Sequence, residues 1–418
     1  MGIHWNITAF GPRTQDQIMI PQFIRTNPRL ALYAFVSVAA SGVGQTFFIS
    51  VMGGEIRNAF GLSHAAYGSL YSGATLCSAL LLLRFGALAD IWSLSKVTSL
   101  AVALPAAGCL LIGLSPGALC LGLGLLLARF GGQGFLAHLG VTTAARYFRA
   151  GRGKAVAMAG FGFPVAEAIL PASAVFLMGL IGWRGTWIAG AVVLSAAALP
   201  LLLYLSRSTP APIKDEAAAG EKSSCSSYTR RQVLGDPGFY LVLPAALATP
   251  FVVTGVFFHQ VAIAEVHHWS LQVVATAFSA YAAAHFVTLF FAGTVVDRLG
   301  AGRTLPLAYF PMLFSLVLLG VARGNWVAPA YMVMIGITQG FSATASGALW
   351  AERYGALHLG AIRSLTQAIM VVSTAAAPIV LGFLLDAGVG ITVLGVATAA
   401  GVFAASVFAW VAPPPGGK

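Results

Sequence analysis

A series of apolar runs, each about 20 residues long and nearly empty of charge, constrains this chain most. Such a run crosses the hydrocarbon of a bilayer as an α-helix. Within lipid only helices and closed barrels satisfy every backbone polar group. Twelve runs are legible. The first six are about 30–52, 65–89, 97–114, 118–145, 155–180 and 186–205. The last six are about 239–263, 271–296, 304–321, 326–350, 362–385 and 391–410. The expected fold class is an all-α membrane protein with twelve transmembrane helices. Composition excludes the soluble alternative: 8% of the residues are charged and 58% hydrophobic, against about 25% charged in a soluble domain. So few charges cannot cover a water-facing surface.

Residues 206–237 form the only long polar stretch, with the run TPAPIKDEAAAGEKSSCSS. A segment of that composition reads as a flexible linker. The chain therefore divides into a tail 1–29, a half 30–205, the linker 206–237, a second half 238–411 and a tail 412–418. Lys and Arg fix the expected orientation. With both termini inside, inward loops and tails hold eighteen of them, and outward loops hold only Arg57, Arg184 and Arg323. That bias predicts both ends in the cytoplasm. The net charge of +11 is thereby a topology signal and not a nucleic-acid surface. The four Cys lack paired spacing, so neither a disulfide nor a metal site is expected. The N-terminus shows no apolar core with a cleavage site, so no cleaved signal peptide is expected.

The two halves repeat. Asp90 and Asp297 close helices 2 and 8 at an offset of 207 residues, and Arg146-Tyr147 and Arg353-Tyr354 follow helices 4 and 10 at the same offset. Gln133-Gly134-Phe135 and Gln339-Gly340-Phe341 match at 206. One offset recurring three times implies two pseudo-symmetric six-helix halves, related by an axis along the membrane normal.

Gly293-x-x-x-Asp297-Arg298-x-Gly300-x-x-Arg303, between helices 8 and 9, resembles the signature loop of the major facilitator superfamily. With twelve helices, a 6+6 repeat and a polar central linker, the resemblance covers about residues 30–410. It implies the major facilitator fold, and secondary active transport of a small organic solute by alternating access. It further implies a charge clasp that holds the inward gate shut, with Asp90 and Asp297 as its acids and Lys96, Arg298 and Arg303 as its bases. In the first copy Ile91, Ser93 and Ser95 stand where the family has Arg, Gly and Arg. The stretch Trp350–Ser364 is similar to bacterial members near the oxalate/formate antiporter and monocarboxylate porter branch. That branch carries substrate-binding basic residues in helices 8 and 11, where this chain has Leu289 and Met370. An oxalate-like dianion site on those helices is therefore not expected. Helix 5, with Phe163-Pro164-Val-Ala-Glu167, also departs from the Gly-Pro antiporter signature.

Arg129 and Glu167 each place a charge near the middle of an apolar helix, which marks a functional site by default. Arg129 lies ~24 Å and Glu167 ~20 Å from the inward ends of their helices. Two readings stand. In one, Arg129 anchors a substrate carboxylate through its planar fork and Glu167 is a proton-coupling carboxylate. In the other, the two form a structural ion pair between helices 4 and 5. Gln45, Gln133, His285, Gln339 and Gln367 are further substrate-binding candidates. His285 is central in helix 8, and histidine is the residue type whose charge changes near neutral pH. His138, His259 and Gln260 are weaker ones. No nucleotide, esterase or metalloprotease motif is present, so no enzyme activity and no cofactor are expected. The expected partners are a small-molecule substrate, protons and the lipid bilayer, for a monomer in an inner membrane. Carboxylates and other organic anions are the preferred substrate class. Export of an amphiphile, or a non-transporting sensor or assembly factor, are the alternatives.

Overall fold

The computed structural model describes residues 27–148, 152–207, 228–355 and 357–415, excepting the side chains of Asp90 and Arg152. The described residues are helical, with no strand among them. The first half holds α1 (Pro28–Ser50), α2 (His64–Phe85), α3 (Leu94–Gly113) and α4 (Ala118–Tyr147), then α5 and α6 within Gly153–Ser206. The second half holds α7 (Pro237–Phe258), α8 (Leu271–Leu299), α9 (Ala301–Val321), α10 (Val327–Tyr354), α11 (Leu359–Asp386) and α12 (Ile391–Val411).

Ten stretches are long and apolar enough to cross a membrane among the described residues. Two departures reconcile ten with the twelve expected. Gly153–Ser206 is one run of 54 residues, folded back at Gly182 (φ 67°, ψ 172°). A left-handed φ is routine for glycine and costly for residues with a Cβ, so the α5–α6 hairpin needs no polar loop. The second departure is α10, which carries Gln339, Ser342, Thr344, Ser346, Glu352 and Arg353 and is less apolar than its neighbours.

Helix starts follow local chemistry. Ser63 and Ser270 cap α2 and α8 by accepting from the N–H groups of Ala66 and Val273 (3.2 and 3.4 Å), which satisfies donors a helix leaves orphaned. Asp236 caps α7 in the same way, accepting from Gly238 (3.0 Å) ahead of Pro237.

An even number of spans brings both described ends to one side of the bundle, the terminal end; the opposite end is distal. The halves close on each other distally. Both Asp386 carboxylate oxygens, at the end of α11, accept from the backbone N–H groups of His64 and Ala65 at the start of α2 (3.0 and 2.8 Å). Just inside, Phe258 of α7 packs on Tyr67 and Tyr71 of α2, with ring centroids 4.9 and 4.6 Å apart. Beyond α1 a short helix, Gly53–Phe60, carries Arg57 to 3.9 Å from Glu265 of the second half. At mid-depth α5 meets α8, where Ser279 donates to the carbonyl of Ala168 (3.2 Å).

At the terminal end lie the described members of the expected clasp. Lys96, Asp297, Arg298 and Arg303 are exposed there, and among the described residues Asp297 makes no hydrogen bond or ion pair. The acid at the start of α9 is Glu352 of α10, which accepts from Ala301 and Gly302 N–H (2.6 and 3.4 Å). The reason is geometric: Glu352 reaches the positive end of the α9 helix dipole, whereas Asp297 still lies within α8. The Asp90 side chain is outside the described residues. Next to it, the carbonyl of Ala89 accepts from Arg146 (2.8 Å). Arg149 and most of the expected linker, residues 208–227, lie outside the described residues.

Candidate functional site

The site begins with a break in α1. Residues Ser41–Gly44 tighten into a 3-10 turn, and Gln45 leaves the helix altogether (φ −89°, ψ 158°) before Thr46–Ser50 resumes. The Ser-Gly-Val-Gly sequence favours this, because two glycines in four residues weaken a helix interior. Close approach demands them too. A Cβ on Gly44 would lie 2.1 Å from the carbonyl oxygen of Ala128, and one on Gly132 would lie 2.8 Å from Gly44 itself. Here α1 and α4 touch backbone to backbone. Opposite the break α4 widens into a π-helical stretch, Arg129–Leu136, a distortion frequent at functional sites.

A helix break frees carbonyls that lipid cannot satisfy. Arg129 supplies the donor: its Nη1 donates to the carbonyl of Gly44 (3.0 Å) and its Nε to the Thr75 hydroxyl of α2 (3.1 Å). The guanidinium lies over the Tyr71 ring, 4.7 Å from its centroid, a favourable cation–π geometry. The Tyr71 hydroxyl in turn bonds Thr46 just past the break (2.6 Å). Arg129 is 0% exposed, yet its Nη2 has no partner. It ties α1, α2 and α4 together at the bend.

Glu167 is bound elsewhere. Its Oε2 lies 2.8 Å from Nδ1 of His285 on α8, and the two residues are 6% and 5% exposed. Of the two readings, the structural pair between Arg129 and Glu167 is not formed; the two sit in separate arrangements. Arg129 faces the α1 break, and Glu167 crosses to the other half. The Tyr281 ring lies 5.8 Å from that of His285. Toward the terminal end, Phe161 of the first half packs on Phe286 and Phe290 of α8, with centroids 4.8 and 5.0 Å apart.

The remaining candidates separate. Gln45, Gln133 and Gln339 are half-buried, and Gln367 is exposed. His259 is held locally, its Nε2 3.0 Å from the Pro378 carbonyl. Gln260 accepts from the Tyr331 hydroxyl. His138 is exposed, with Nε2 3.4 Å from Thr142. Sequence reasoning missed Gly44, Thr75 and Tyr71. Only the Ser-Gly-Val-Gly run carried a signal, as a weak point in a helix. Among the described residues no three of His, Cys, Asp and Glu converge as metal ligands.

Two comparisons bear on this architecture. The profile described as Major Facilitator Superfamily matches residues 34–263 and 251–418. The fold is similar to the crystal structure of a bacterial homologue of the human lysosomal transporter Spinster in an inward-facing, unoccupied conformation. The TM-score is 0.67 at 16% identity, over 94% of this chain and 97% of that one. The same homologue in an inward-facing, occupied conformation gives 0.63 at 16% identity, over the same shares. At that identity the likeness is one of fold. Among curated proteins no sequence matches.

Proposed function

Because the chain belongs to the major facilitator superfamily, we propose that it is a proton-coupled secondary transporter of a small organic anion, a carboxylate in the first instance. The observation that carries this reading is the Glu167–His285 bond at 2.8 Å, buried at mid-depth between the two halves. A polar contact between membrane helices is worth about 0.6 kcal/mol and at most about 1.7. One pKa unit is worth about 1.4 kcal/mol. A proton is therefore strong enough to make or break this contact, and the contact is one that alternating access must load. In its net-neutral form the pair is imidazolium with carboxylate, or imidazole with carboxylic acid. One more proton leaves a single net positive charge in the membrane interior, and a substrate carboxylate offsets it. That balance favours one proton carried per carboxylate.

Arg129 is the proposed anchor for the carboxylate. Its Nη2 lacks a partner, and a bidentate acceptor would compete with the Gly44 carbonyl for Nη1. Substrate binding would then loosen the pin on the α1 break. Gln45 and Gln133 flank the bend, and Gln339 and Gln367 offer donors from the second half. The eighteen-to-three Lys/Arg bias supports a terminal end in the cytoplasm of an inner membrane, for a monomer. Closure is then on the outside, and Asp90, Lys96, Asp297, Arg298 and Arg303 are the proposed members of the inward gate. The domain boundaries near 30, 206, 238 and 411 follow from the same reading.

The test is uptake of labelled monocarboxylates into proteoliposomes with and without an imposed proton gradient. Glu167→Gln is expected to lose gradient-driven accumulation at least about tenfold, about 1.4 kcal/mol or more of coupling, while retaining counterflow. Wild-type accumulation by both Glu167→Gln and His285→Gln, at full expression, would sink the proposal. The Phe161–Phe286–Phe290 cluster beside the pair favours a second reading, export of an amphiphile. In the same liposomes such a compound, and not a carboxylate, would drive counterflow.

A further inference from the structure

We propose that His64 is a proton-binding site in the outer closure, separate from the Glu167–His285 pair, and that a proton taken up there opens the outer side. This rests on the orientation and alternating access proposed above. His64 is the first residue of α2 and sits where four elements converge. From the helix after α1, Arg57 places Nη1 3.1 Å from His64 Nε2. From α11, the Asp386 carboxylate holds the His64 and Ala65 N–H groups. From the end of α7, the His259 ring lies 5.8 Å from that of His64. From the helix that follows, Glu265 lies 3.9 Å from Arg57.

A guanidinium has donors and no acceptor. The Arg57–His64 bond therefore exists only while Nε2 of His64 carries a free lone pair, which makes the ring neutral in the closed state. A proton on Nε2 abolishes that bond and puts two cations in contact. Two carboxylates are near enough to respond, but both are engaged in closure. Glu265 faces Arg57 across the halves, and Asp386 caps α2 across the halves. The charge in direct contact with the ring is the guanidinium, so the imidazolium is expelled with α2 or displaces Arg57 from Glu265. Either movement removes a link between the halves. His259 is spared because burial disfavours its charged form, although its Nε2–H donates to the Pro378 carbonyl. A small cavity of about 10 Å³ between Arg57, His64, Tyr67, Phe258 and His259 is the size of one water. The Tyr67 hydroxyl, buried among these residues, has no partner. His64 is half-buried, so the ring is within reach of a proton from the outer face.

By linkage, a state that binds a proton less tightly loses population as pH falls. The outward-open population should rise up to about tenfold per pH unit as pH falls below the ordinary imidazole pKa of about 6.5. The experiment is the distance distribution between spin labels at Asn58→Cys and Ala387→Cys. It uses the full chain in lipid nanodiscs, with the four native cysteines replaced, titrated from about pH 7.5 to about pH 5.5. The expected result is growth of a longer-distance population in the parent. His64→Gln should abolish that response, because its amide oxygen still accepts from Arg57 and cannot be protonated. Arg57→Gln should abolish it too, because closure then tolerates the imidazolium, so one misfolded variant does not end the test. His358→Gln, an exposed imidazole at the terminal end of α11, should keep it. A flat parent titration, a closure that tightens as pH falls, a response surviving in either outer variant, or its loss in His358→Gln would each overturn the proposal. No substrate is needed, so a failed transport assay leaves this reading intact.

Discussion

At the scale of single residues, the two buried charges behave differently from each other. Arg129 compensates a backbone defect, while Glu167 reaches across the pseudo-symmetry axis to His285. Both charges were legible as anomalies in apolar runs, and His285 as the central imidazole of its helix. Their partners were not, because 85 residues separate Arg129 from Gly44 and 118 separate Glu167 from His285. Helical periodicity says which side chains share a face; it does not say which helix that face meets. The Gly44–Gly132 contact gives a direct prediction. Gly44→Ala forces a methyl to 2.1 Å from a backbone oxygen, where no flexible side chain can give way. Overpacking of this kind costs about 1–3 kcal/mol or more. A melting midpoint lowered by several degrees in detergent, with reduced yield, is expected. Arg129→Lys should act in the same direction more weakly, because one ammonium can hold Gly44 or Thr75 but cannot lie flat on Tyr71.

At the scale of elements, the apolar runs located the spans to within a few residues. What they could not show was how each span is interrupted. The break in α1 and the π-helical stretch of α4 arise together, from glycines that let two backbones meet, and neither disturbs the average apolarity of its run. The signature loop shows a different limit. Its Asp297 was legible from the motif, but the acid at the start of α9 is Glu352, supplied from α10. Removing that charge tests the assignment. Glu352→Gln should weaken the α9 N-terminus by about 0.3–1 kcal/mol. Amide exchange at Ala301 and Gly302 should rise accordingly, about two- to fivefold, with little change elsewhere. Unchanged protection there would return the capping role to another group.

For the molecule as a whole, closure at the distal end rests on short polar contacts over an aromatic layer, and these are not equivalent. The Arg57–Glu265 pair is long at 3.9 Å, with Glu265 mostly exposed. Exposed pairs contribute about 0–1 kcal/mol, so a double-mutant cycle on the two should give a coupling under about 1 kcal/mol. The Asp386 cap is the stronger link, because both of its oxygens hold α2 N–H groups. The orientation is testable on the same scale. An impermeant maleimide should label Asn58→Cys from outside intact cells and Arg298→Cys only in inverted vesicles. Labelling of both from one side would reject the assigned topology.

The hairpin at Gly182 has a consequence for how the chain enters the membrane. Where α5 ends and α6 begins there is no stretch for a translocation machine to pull through as a separate loop, since Gly153–Ser206 is apolar almost throughout. The cation nearest the bend, Arg184, donates to the carbonyls of Gly113 and Ser115 at the end of α3 (3.2 and 2.8 Å). Those acceptors exist for Arg184 only once α3 is in place, and α3 precedes the pair in the chain. The order of synthesis and the order of assembly coincide there. A chain lacking α3 would leave Arg184 without its two carbonyl acceptors, and a protease working from outside would find only the few residues around Gly182 between α5 and α6.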